Sequence, residues 1–76
     1  MKLNEWFDIE CLKYKDDDGK TRTPYQGRIR KKNGETILGI YFYEPGQEEF
    51  AYEFTVKGVE EFIEKASRVL EDMKRI

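Results

Sequence analysis

Three stretches of this chain carry residue types that could do chemistry. Gly19-Lys20-Thr21 matches the end of a phosphate-binding loop, in which backbone N–H groups and a lysine hold a nucleotide. The first glycine of that motif would fall at Tyr14, and Asp16, Asp17 and Asp18 fill the loop with charge that repels phosphate. The same aspartates suggest a calcium loop, yet the alternating ligand spacing and the distal glutamate are missing. Both readings give way to a plain hairpin loop. Asp8 and Glu10 would share one face of a strand and suggest paired carboxylates. A general acid needs a pocket that raises its pKa, and so small a domain has little room for one. If the first two strands pair, these carboxylates face Arg28 and Arg30 as cross-strand ion pairs. Cys11 is the single cysteine, Ser67 the single serine, and there is no histidine. No nucleophile–base arrangement, disulfide or ordinary zinc site can be written from such a set. The sequence therefore points to a chain that is not an enzyme and uses no cofactor.

The elements that would position these residues can be read from their periods. Seventy-six residues make one domain, 1–76, near the lower size limit for a core without staples. Oligomerisation is the remaining route to stability, and a homodimer is expected. Residues 2–14 read as a strand, with Phe7, Ile9 and Cys11 on its apolar side and Trp6, Asp8, Glu10 and Leu12 on the other. A buried, inert Cys11 follows from that placement. Asp16-Asp17-Asp18-Gly19 ends the strand with turn residues. A second strand covers 24–32, and Asn33-Gly34 then favours a type I′ turn. That turn pairs Lys32 with Glu35, Arg30 with Ile37, Ile29 with Leu38, Gly27 with Ile40 and Tyr25 with Phe42. A third strand covers 36–43 and a fourth 49–56, the latter with Phe50, Tyr52, Phe54 and Val56 on one side. A two-residue loop at Pro45-Gly46 would set Phe42 against Glu49, so a longer loop or a bulge that pairs Phe42 with Phe50 is expected.

From about residue 57 the period becomes helical. Val59, Phe62, Ile63, Ala66, Val69, Leu70 and Met73 form one apolar stripe, with Glu61–Lys65, Glu64–Arg68 and Glu71–Arg75 on the far side. The fold class is α+β: a four-stranded antiparallel meander followed by one C-terminal amphipathic helix packed on one face. The stripe is expected to be buried on the sheet, with Phe62 and Leu70 central.

One helix covers one side of a sheet. The other side should carry Trp6, Asp8, Glu10, Leu12, Gln26, Arg28, Arg30, Lys32, Ile37, Tyr41 and Tyr43, too aromatic for an idle solvated face. Tyrosines among cations suit base stacking and phosphate contact, so Trp6, Arg28, Arg30, Lys32, Tyr41 and Tyr43 form a candidate surface for single-stranded DNA or RNA. Tyrosine and arginine also dominate protein interfaces. The alternative is therefore a small protein–protein interaction module, such as a regulatory or phage-encoded inhibitor protein. Net charge is −2, but residues 13–32 carry +5 and residues 33–76 carry −5, so a basic face is compatible with an acidic whole. A lone cysteine, no signal peptide and no long apolar run lead one to expect a cytoplasmic setting, away from membranes.

The join Phe54-Thr55-Val56-Lys57-Gly58-Val59-Glu60-Glu61-Phe62-Ile63 takes an apolar strand end through Lys and Gly into an acidic amphipathic helix. With four strands before it, this resembles the PUR-repeat proteins and, more distantly, the Whirly proteins and the single-stranded-DNA-binding transcriptional coactivators. The resemblance implies single-stranded DNA or RNA bound across a curved sheet without a cofactor. It also implies two such units paired through their helices.

Overall fold

The Asn33-Gly34 turn organises the sheet. Both residues have positive φ, 51° and 81°, as a type I′ turn requires. A computed structural model describes residues 1–44 and 47–76, with the backbone alone at 47, 48 and 50. In chain order the described elements are β1 (Phe7–Asp8), a 3-10 turn (Glu10–Leu12), β2 (Tyr14–Lys15), β3 (Thr21–Arg22), β4 (Tyr25–Lys32), β5 (Glu35–Glu44), β6 (Gln47–Thr55) and α1 (Val56–Arg75). The main sheet has four antiparallel strands in the order β1-β4-β5-β6, followed by the C-terminal helix, so the α+β class holds. All five β4–β5 pairs expected from the turn are present, from Lys32–Glu35 to Tyr25–Phe42.

Two strand expectations need correction. Residues 2–14 do not form one strand. Only Phe7 and Asp8 join the sheet, opposite Gly27 and Gln26. Phe7 needs that glycine: a Cβ on Gly27 would stand 2.5 Å from its ring. Beyond Asp8 the chain leaves through the 3-10 turn, which carries Glu10, Cys11 and Leu12, and then forms a separate hairpin of β2 and β3. The aspartate turn sits in that hairpin. There Asp16 Oδ1 accepts from the backbone N–H groups of Asp18 and Lys20, at 3.0 and 2.9 Å, and Gly19 takes φ 77°.

The β5–β6 register is the second correction. Glu44 pairs with Gln47, so Phe42 does meet Glu49 rather than Phe50. Glu49 is exposed, and water there tolerates an apolar–charged pair. A bulge does occur, but further along and without pairing Phe42 with Phe50: Ile40 pairs with Tyr52 and Tyr41 with Phe50, leaving Ala51 as the extra residue. Past it, Leu38–Phe54 and Ile40–Tyr52 are apolar pairs. The expected loop at Pro45-Gly46 lies outside the described residues.

The helix begins cleanly. Thr55 caps it, its Oγ1 accepting from the Gly58 N–H at 3.1 Å, and Lys74 and Arg75 complement the dipole in the last turn. Its first turns lie against the sheet, where Phe54 and Phe62 have ring centroids 6.3 Å apart. The rest projects away. None of its residues is buried, and Phe62, Ile63, Val69, Leu70 and Met73 are 49–65% exposed, so the expected burial of the stripe does not occur within one chain. The Cα radius of gyration, 14.9 Å, exceeds the roughly 11 Å of a compact domain this long. Among the described residues the buried apolar side chains are Pro24, Ile37 and Tyr41, the last two on the sheet face opposite the helix.

Candidate functional site

The six candidate residues do share one face. Alternation along β4 and β5 puts Arg28, Arg30, Lys32, Tyr41 and Tyr43 on it, and Trp6 folds over the same side just before β1. They divide into two groups with different roles. Trp6 meets Tyr41 and Tyr43 edge-on, with centroids 5.1 and 5.9 Å away, and the Arg28 guanidinium lies over the Trp6 and Tyr41 rings at 4.6 and 5.4 Å. This cluster is a small second core. Tyr41 is 8% exposed and fills the space above Gly39, where a Cβ would come within 2.8 Å of its ring. Trp6, at 41% exposure, is the ring with a surface to offer.

Arg30 and Lys32 form the second group. Glu53 on β6 accepts from Arg30 Nη2 at 2.8 Å and from Lys32 Nζ at 3.0 Å. Hydrogen bonds from Lys32 and then Arg30 hold the Glu53 carboxyl below the usual glutamate range. Glu53 reaches both cations diagonally across β5 from its place opposite Gly39. Glu53 is the residue that sequence reasoning missed here. A glutamate on the fourth strand, two strands from a pair of cations, was the available signal.

The expected ion pairs of Asp8 and Glu10 with Arg28 and Arg30 do not form. Asp8 instead accepts from Gln26 Nε2 at 2.9 Å, its directly paired neighbour, and Glu10 has left the sheet in the 3-10 turn. Cys11, in the same turn, is exposed rather than buried. Asp16 anchors its hairpin and also accepts from Arg22 Nε at 2.8 Å; the Lys20 N–H and Arg22 together hold its carboxyl below the ordinary range. Every acceptor atom of Asp16 is thus used in fixing the loop. Tyr14, on β2, donates to Glu44 Oε1 at 2.7 Å, which pushes its phenol pKa up and ties the small hairpin to the sheet.

The other face has a different character. Met1, Phe7, Ile29, Leu38, Phe54 and Val59 line an open apolar groove of about 370 Å³ where the helix leaves the sheet. The exposed stripe of α1 continues from it, with Tyr52 and Val56 also exposed alongside. Exposed large apolar side chains are thus found both on the sheet beside the helix and along the helix itself. Among the described residues there is no cluster of three or more potential metal ligands, and no helix is long and apolar enough to cross a membrane. Comparison of the chain with models of protein families, with curated proteins and with solved structures finds no match.

Proposed function

We propose that this chain is a non-enzymatic protein-interaction module that docks through the apolar stripe of α1 and the sheet face beside it. One observation carries the reading: a 20-residue helix with a continuous apolar side has none of its residues buried. Exposed apolar area of this extent is a partner surface, because water disfavours it by about 25 cal/mol per Å². A homodimer is the simplest form of such docking. The test is binding of an environment-sensitive apolar dye together with sedimentation. Wild-type protein should either bind the dye or sediment above its monomer mass, and Leu70→Glu should abolish both while leaving the circular dichroism spectrum intact. A dye-silent monomer would overturn the reading.

A second reading is supported by the exposure of Trp6 on the opposite face. There it can stack a base of single-stranded DNA or RNA, with Arg28 and Tyr43 against it. This is also the ligand implied by the resemblance to PUR-repeat proteins. The informative variant is Trp6→Ala, since Tyr41 is a core residue. It should weaken oligonucleotide binding by about 1–3 kcal/mol with little change in salt dependence. Lys32→Ala should instead flatten the salt slope by about 0.7. Wild-type protein that shifts no labelled single strand at high micromolar concentration and low salt would remove this reading and leave the first untouched.

A further inference from the structure

Resting on the reading that the helix stripe docks protein, we infer that its occupant is a second copy of this chain, whose α1 runs antiparallel along the first. The stripe repeats every seven residues: Val59, Ala66 and Met73; Phe62, Val69 and Ile76; Val56, Ile63 and Leu70. A period of seven keeps an apolar seam turned towards another helix beyond the first turns, which lie against the sheet. Ala66, small and at mid-seam, lets a second backbone approach there.

Charge decides the direction. Opposite Ile63 and Leu70, the other margin of the seam carries Gly58, Lys65 and Asp72. An antiparallel pair brings Lys65 beside Asp72 of the second copy, twice by symmetry, and Ile63 beside Leu70 of the second copy. Glu60 and Glu61 of each helix then lie at the same end as Lys74 and Arg75 of the other. The two helix dipoles oppose each other, which is favourable. A parallel pair sets Lys74 and Arg75 beside their own copies, does the same with Glu60 and Glu61, and aligns the dipoles. Every one of these terms favours the antiparallel arrangement.

Sedimentation equilibrium of the full chain in a Cys11→Ser background, with disulfide trapping, tests the inference. The protein should sediment at twice its 9.1 kDa chain mass. Asp72→Lys should weaken association on the order of tenfold by replacing two attractions with two repulsions. Adding Lys65→Asp to the same chain should restore it, a rescue that general destabilisation would not show. A mixture of Val59→Cys and Ile76→Cys chains should cross-link under mild oxidation. Val59→Cys alone should not, because the two copies of that position stand about 25 Å apart in an antiparallel pair. Cross-linking of Val59→Cys alone, or failure of the charge exchange to rescue, would overturn the antiparallel pairing. A monomer at the highest attainable concentration would overturn the second copy as occupant. If that monomer binds the apolar dye and Leu70→Glu abolishes the binding, the docking reading stands without this occupant; a dye-silent monomer sinks both.

Discussion

Two glycines illustrate how differently one residue type is used in this chain. Gly34 is required for its backbone, with φ 81° and open space where a Cβ would point. Gly34→Ala should therefore cost roughly 1 kcal/mol, the penalty of left-handed backbone alone. Gly27 is required for space, since a Cβ there would meet the Phe7 ring. Gly27→Ala should cost about 1–3 kcal/mol by forcing Phe7 off the sheet. Urea denaturation of the two variants measures both, and a Phe7→Ala background should relieve the second loss but not the first. Glu53 offers a titration at the same scale. Its pKa is depressed in the folded chain by Lys32 and Arg30, so the unfolded state takes up its proton first as pH falls. Its contribution is thus present above the ordinary glutamate pKa of about 4.3 and is lost on acidification through and below that value. Melting temperature followed from neutral pH down to about pH 3 should fall, and Glu53→Gln should remove part of that fall.

At the scale of elements, the helix is the point where pattern and placement separate. Its period, cap and terminal cations all specify an α-helix, and the Glu64–Arg68 pair closes at 3.0 Å on its outer side. Burial of Phe62 in its own chain would make Phe62→Ala cost about 3–5 kcal/mol. The observed exposure of 63% changes that expectation. Measured at dilution, where association is lost, Phe62→Ala should cost about 1 kcal/mol, the value of its ring contact with Phe54. At high concentration the same variant should lose much more, and chemical denaturation at two protein concentrations distinguishes these outcomes. The first strand shows a similar separation. Its alternation is sound at Trp6, Phe7 and Asp8, but the aromatic rings are what hold the segment, Phe7 over Gly27 and Trp6 over Tyr41 on opposite sides. Once those anchors are passed, nothing keeps residues 10–12 in the sheet.

For the molecule as a whole, extents of 42 × 39 × 19 Å describe a flat body with a projecting arm. A sheet this small, with Ile37 and Tyr41 as its buried apolar side chains among the described residues, gains little from its own core. Its stability should therefore depend on association. Thermal melts should shift upward by several degrees over a hundredfold rise in protein concentration, as mass action demands of a folded dimer. A melting temperature independent of concentration would mean that the sheet and helix hold without a partner.

The sequence alone determined those features that depend on neighbours along the chain or across one tight turn. Asn33-Gly34 specified its turn, and with it every pair of β4 with β5, because positive φ and alternation act locally and agree. The helix and its apolar side were legible for the same reason, as was the shared face of Trp6, Arg28, Arg30, Lys32, Tyr41 and Tyr43. What each of those residues touches was decided only in three dimensions. Whether Tyr41 offers its ring or buries it depends on Trp6, 35 positions away, closing over the gap left by Gly39. Whether Arg30 and Lys32 stand ready for a ligand depends on Glu53, brought within reach by a register that a bulge at Ala51 shifts. Periodicity shows that a helix has an apolar side; it cannot show which surface that side meets, because sheet and second helix satisfy the same pattern. In this chain the direction in which α1 leaves Thr55 turns all but the start of the stripe away from its own sheet, and that angle is a property of the assembled fold.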